Sequence, residues 1–211
     1  MQELNKILAR ADMYGVSALA FAFPKDQVTE DMHKGVTSLL KSLETAGVDR
    51  ETIEKGSDFL KMWASTESSI IKQDYSDLFI GKQQFRLDES EYDKTIFYRH
   101  QRIADVSGFY RAFGFERSTE SFERQDFVGM ELEFMQVLLL KLAYAMENGW
   151  DDHAEMCRDA EAKFFKEHLE WWIPDMCERL RGASPCEFYK SLSSFLESFI
   201  KSEASRYLQT A

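Results

Sequence analysis

Proline and glycine are scarce in this chain, with 3 prolines and 10 glycines among 211 residues, and no Gly/Ser-rich or Pro-rich stretch divides it. That argues against a flexible or extended linker and favours long helices joined by short turns, in one domain over residues 1–211. Cysteine is scarce as well: Cys157, Cys177 and Cys186 form no C-x-x-C and leave an odd thiol, which speaks against a disulfide framework. Positive charge is in deficit, with a net charge of −11 and a pI near 4.9. Nucleic-acid binding depends on cations that neutralise phosphates, so the balance points to no nucleic-acid partner. Long uninterrupted apolar runs are missing: the most apolar stretch, Asp126 to Met146, carries Glu131, Glu133 and Lys141. A membrane span needs roughly twenty apolar residues with few or no charges, so none is expected. The N-terminus, MQELNKILARADMYG, is amphipathic and contains acid, unlike a charged head followed by an apolar signal segment. The expected location is the cytoplasm.

Apolar material is plentiful, since hydrophobic residues make up 44% of the chain and aromatics 14%. Its periodicity is helical throughout. Leu4, Ile7, Leu8, Ala11, Tyr14 and Ala18 share one face of a first helix ending near Pro24. Val28, Met32, Val36, Leu39, Leu40 and Leu43 do so in a second that closes at Gly47. Asp49 restarts the chain, Ile53, Leu60 and Trp63 carry a third helix, and Gly56 weakens it by roughly 1 kcal/mol relative to Ala. A short helical stretch with Tyr75, Leu78 and Phe79 runs out at Gly81, and a polar segment bearing Phe85 and Tyr92 follows. Ile103, Val106, Phe109, Tyr110 and Phe113 mark the next helix, which stops at Gly114. The run from Asp126 to Met146 is then a buried central helix, with Asp126 at its N-cap and Asn148-Gly149 at its end. Asp152 and Glu155 suggest a capping box for a helix carrying Glu161, Phe164, Phe165, His168 and Trp172, and Ser184-Pro185-Cys186-Glu187 starts the last one. No segment alternates as a strand does, so the fold is expected to be all-α, a multi-helix bundle around one buried central helix.

Catalytic signatures are missing. The sequence holds no G-x-x-x-x-G-K-[ST], no G-x-G-x-x-G, no G-x-S-x-G and no H-E-x-x-H. Glu30 and His33 form a single E-x-x-H, where helical di-iron sites use two copies with further carboxylates. His153 and Cys157 offer two ligands at i, i+4, short of the usual four. Glu131 and Glu133 point about 200° apart on a helix, so they do not form an acid–base pair, and each is expected to meet a neighbouring helix. His168, flanked at helical steps by Phe165, Leu169 and Trp172, reads as a partly buried histidine with a backbone partner. Common enzyme classes therefore lose support, and neither metal pairing makes a full site.

The order of motifs resembles the TorD/DmsD/NarJ family, the cytoplasmic chaperones that mature molybdopterin-containing oxidoreductases. The likeness covers nearly the whole chain. It rests on Arg10-Ala11 with Tyr14, on Tyr75-x-x-Leu78-Phe79-x-Gly81 and on Glu89-Ser90-x-Tyr92. It continues through Val106-x-x-Phe109-Tyr110-x-x-x-Gly114-Phe115, Glu131-Leu132-Glu133-Phe134-Met135 and Asn148-Gly149, and closes on Phe165-x-x-His168-Leu169-x-x-Trp172-x-Pro174. Two positions depart from the family pattern: Phe127 stands where a His follows the Asp, and Asp88 stands in place of a Pro. Any role of that His therefore does not carry over.

The resemblance implies an all-helical assembly chaperone that binds the twin-arginine signal peptide and apo-catalytic subunit of a molybdopterin oxidoreductase. It would assist cofactor insertion and hold back export, and would be no enzyme itself, with no cofactor or metal of its own. Tyr75, Leu78, Phe79, Gly81, Asp88, Glu89, Tyr92, Asp126, Phe127, His168 and Trp172 are the expected client-binding residues. Of these, Asp88, Glu89 and Asp126 would accept from guanidinium groups, Tyr75, Leu78, Phe79 and Phe127 would receive apolar residues, and Tyr92 would stack on Arg. The family includes domain-swapped homodimers, for which residues Phe115 to Gln125 would be the hinge. The alternatives are an adaptor without signal-peptide recognition, as in the branch serving membrane-bound nitrate reductase, and a helical metal-binding bundle.

Overall fold

A computed structural model describes residues 1–80, 85–116 and 123–210, apart from the side chains of residues 27–29, 33, 209 and 210. The proposed hinge therefore lies largely outside the described residues, as do Gly81 and the side chain of His33. The elements are α1 (Gln2–Phe21), α2 (Asp26–Thr45), α3 (Arg50–Ser65) and α4 (Ser68–Tyr75), which runs into a π-helical turn at Ser76–Ile80. A 3-10 turn at Glu89–Glu91 precedes α5 (Ile96–Ala112) and α6 (Val128–Glu147). Then come α7 (Asp151–Phe164), prolonged by a second π-helical turn at Phe165–Leu169, α8 (Ile173–Ala183) and α9 (Glu187–Thr210). The fold is all-α. Among the described residues there is no strand, only an isolated antiparallel bridge between Asp88 and Phe127.

The central helix lies where its composition places it. α1 and α7 pack along α6, α9 packs against α3 and α8, and α2 joins α1 to α3. Leu132, Phe134, Met135, Leu138 and Leu139 of α6 have no exposed surface. One stripe of α6 nonetheless faces water, because Glu133, Leu140, Lys141 and Tyr144 fall at helical steps on a side that no helix among the described residues covers. Two aromatic clusters complete the core. Phe134 meets Tyr110, Phe115 and Phe164 at 4.9, 5.6 and 4.7 Å between ring centroids, and Phe195 meets Phe59 and Phe199 at 5.6 and 5.8 Å.

Several helix ends follow the sequence signals. Asp49 Oδ1 accepts from Thr52 N at 2.8 Å and caps α3. Gly149, at φ 68°, lets Gly149 N and Trp150 N donate to Met146 O and Ala145 O, which closes α6. Ser184 Oγ accepts from Cys186 N at 3.1 Å just ahead of α9. Two expected caps are not formed. Phe127, not Asp126, is the N-cap of α6, and Trp150, not Asp152, is that of α7; neither residue makes a side-chain cap.

A buried ion cluster ties α1, α7 and α9 together. Arg10 donates to Glu203, to Glu161 and to Tyr207, while Tyr14 Oη donates to Glu203 Oε2 at 3.0 Å. Burial would lower the Arg10 pKa, but the charges of Glu203 and Glu161 outweigh it and hold it above its ordinary value. Glu203 is correspondingly held low, because Arg10 and Arg206 overcome its burial.

Candidate functional site

A cleft of about 320 Å³ opens where the end of α1, the π-helical turn after α4 and the start of α6 converge. Phe23, Tyr75, Phe79, Ile80, Phe85 and Phe127 supply its apolar lining. The rings form a chain, with Phe23 and Tyr75 at 5.4 Å, Tyr75 and Phe79 at 5.0 Å, and Phe79 and Phe85 at 6.4 Å. Burial, with the charge of Glu123 adding to it, pushes the Tyr75 hydroxyl up to about 12, so it stays neutral. Arg86, Asp88, Glu123 and Arg124 give the same cleft charge. Phe127 is held by a glycine: a Cβ on Gly129 would lie 2.5 Å from Phe127 Cε1, so only glycine lets the ring fold back over the first turn of α6.

The polar residues behind the cleft fix its walls. Glu89 N donates to Asp126 O and Val128 N to Leu87 O, both at 2.8 Å, which locks residues 87–89 to residues 126–128. The Asp126 side chain, fully buried, accepts from Ser90 N at 3.0 Å and from Arg124 Nε at 3.1 Å. Glu89, also fully buried, accepts from Trp171 Nε1 at 2.8 Å and lies 3.0 Å from His168 Nδ1. Since an ionised carboxylate only accepts, the tautomer that fits carries its proton on Nδ1. Beside them Glu131 is buried with Trp172 and Glu89 near its carboxyl, and among the described residues neither oxygen reaches good hydrogen-bond geometry. On the neighbouring helix Trp172, at the start of α8, favours its charged form, but Glu89 and Asp126 outweigh that. Burial first, then the charges of Glu89 and Asp126, raise its pKa well above the ordinary carboxyl value.

Four of the expected binding residues, Tyr75, Phe79, Asp88 and Phe127, line the cleft. Leu78 is buried beneath it, where its carbonyl accepts from Phe85 N at 2.8 Å. Glu89, Asp126, His168 and Trp172 are fully or almost fully buried behind the wall, and Trp172 Nε1 donates to His168 O. Tyr92 already has partners: its hydroxyl donates to Arg86 O at 2.9 Å and Arg179 lies 5.2 Å over its ring. Phe23, Ile80, Arg86, Glu123 and Arg124 line the cleft without having been singled out by the sequence. The only signal for Phe23 is a large aromatic beyond a helix end, and it is 48% exposed.

A second, apolar cleft of about 520 Å³ runs along the open stripe of α6, lined by Phe113, Val137, Leu140, Tyr144, Trp150 and Met156 among others. Among the described residues no three His, Cys, Asp or Glu side chains converge as metal ligands, and no helix is long and apolar enough to cross a membrane.

Comparison with known proteins adds two findings. The family model described as nitrate reductase delta subunit matches residues 28–178. The chain is also similar to a perchlorate reductase assembly chaperone protein from Dechloromonas aromatica (strain RCB), with 24% identity over 210 residues that cover 95% of this chain and 90% of the relative.

Proposed function

The chain belongs to the nitrate reductase delta subunit family, the NarJ/TorD-type molybdoenzyme maturation chaperones, and from that premise we propose that it is the dedicated assembly chaperone of one molybdopterin oxidoreductase. It acts in the cytoplasm, binds the client's catalytic subunit before cofactor insertion, and takes the client's twin-arginine signal peptide in the aromatic cleft. Export is thereby held back until loading is complete. Its part is binding, without catalysis of its own.

The observation that carries this reading is the composition of the cleft. A twin-arginine peptide presents guanidinium groups followed by an apolar stretch, so its receptor needs acceptors beside exposed apolar surface. The cleft has an edge-to-face row of aromatic rings next to Asp88 and Glu123. Phe79 and Phe127 receive the apolar residues. Glu89, Asp126 and His168 serve behind the wall as positioning residues that hold the two segments in register.

The test is recovery of the chain from its native host and mass spectrometry of what accompanies it. The reading expects the catalytic subunit of a molybdopterin oxidoreductase with its signal peptide still attached. Recovery of a mature subunit alone, together with no calorimetric signal for that subunit's signal peptide, would leave an adaptor role instead.

A further inference from the structure

Within this reading, and resting on it, we propose that Asp88 is the anionic subsite of the cleft, where it receives a guanidinium group of the bound peptide while the aromatic row takes the residues that follow. Three observations set Asp88 apart from Asp126 and Glu89. It lines the cleft, whereas Asp126 and Glu89 are fully buried and already accept hydrogen bonds from Ser90, Arg124 and Trp171. Its carboxyl makes no hydrogen bond or ion pair among the described residues, although the residue is half-buried. Its backbone is bridged to Phe127, which ties the acceptor to an apolar wall of the same cleft.

The cations already present do not satisfy it. Arg124 is committed to Asp126, Glu91 and Ser90. Arg86 is exposed at the cleft edge and lends Asp88 only long-range attraction. An unpaired, partly desolvated carboxylate beside aromatic faces favours a planar guanidinium, which can bond the oxygens and stack on a ring at once.

A consequence follows for pH. Burial, and next the charge of Asp126, push the Asp88 carboxyl up to about 6 against the opposing pull of Arg124 and Arg86. Glu91 from the 3-10 turn adds to the upward push, and Glu123 and Tyr75 are the other titratable groups lining the cleft. Binding of a cationic peptide therefore strengthens as pH rises through this value and Asp88 ionises.

The test is fluorescence anisotropy with a labelled synthetic peptide of two adjacent arginines followed by ten leucines and alanines, free of groups that titrate between pH 5 and 8. Wild type is expected to bind it about tenfold more tightly at pH 8 than at pH 5. Asp88→Asn should lose about that factor at pH 8 and show a flat profile, while Asp88→Glu keeps most of the affinity. A peptide with glutamines in place of the arginines should bind wild type without pH dependence, a control that needs no variant to fold. If Asp88→Asn binds the arginine peptide as wild type does at pH 8, the subsite is overturned and the wider reading survives. If wild type does not bind the peptide at all, both fall.

Discussion

His168 Nδ1 and Glu89 Oε2 lie 3.0 Å apart, both out of solvent and 79 residues apart in sequence. This contact joins the π-helical turn after α7 to the 3-10 turn behind the cleft. It fixes the cleft wall from the rear, and Trp171 and Arg102 reinforce it from the same side. Glu89→Gln and His168→Ala should each destabilise the protein, and the pair should be non-additive by about 1–3 kcal/mol in a denaturant double-mutant cycle. Strict additivity would mean that the contact does not hold the wall.

Glu131 makes stability depend on pH in a definite direction. Burial and the neighbouring acids raise its folded pKa, so its contribution is complete below the unfolded value of about 4.3 and is lost as pH rises toward the folded one. Wild type should thus lose stability relative to Glu131→Gln as the pH is taken from 5 to 8. Denaturation midpoints at both pH values read this directly. An unchanged difference between the two proteins would show that the fold does not raise the Glu131 pKa.

Arg10 pairs with two buried carboxylates, Glu203 and Glu161. Arg10→Leu leaves Glu203 and Glu161 buried with less compensating charge, so it should cost about 3–5 kcal/mol by denaturant unfolding. A cost below about 1 kcal/mol would mean that solvent enters the cluster.

Elements set by local chemistry were legible in the sequence. The apolar period placed the helices, Asp49 and Gly149 marked ends that form as expected, and the composition of residues 126–146 placed α6 at the centre. What was not legible depends on distant neighbours. Asp126 has the type and position of an N-cap, yet its carboxylate bonds Ser90, 36 residues away. Gly56 reads as a weak point in α3, but a Cβ there would meet Leu43 Cδ2 at 2.7 Å and Phe195 Cδ2 at 3.0 Å, so it is the point of close approach to α2 and α9. The π-helical turns that present Phe79 and His168 break the 3.6-residue period by which helices are read. Of the cleft, the aromatic segment from Tyr75 to Tyr92 was visible, whereas Phe23 and Arg124 join it only through the tertiary fold.

The central claim is that a twin-arginine signal peptide seats between the π-helical turn after α4 and the start of α6. Photo-crosslinking tests it most directly, using a synthetic twin-arginine peptide with benzoyl-phenylalanine in its apolar run and mass spectrometry to map the attachment. The account predicts attachment at Phe23, at Tyr75 to Asp88 or at Glu123 to Phe127. Attachment confined to the open face of α6 and α7, at Leu140, Tyr144, Trp150 or Met156, would contradict it.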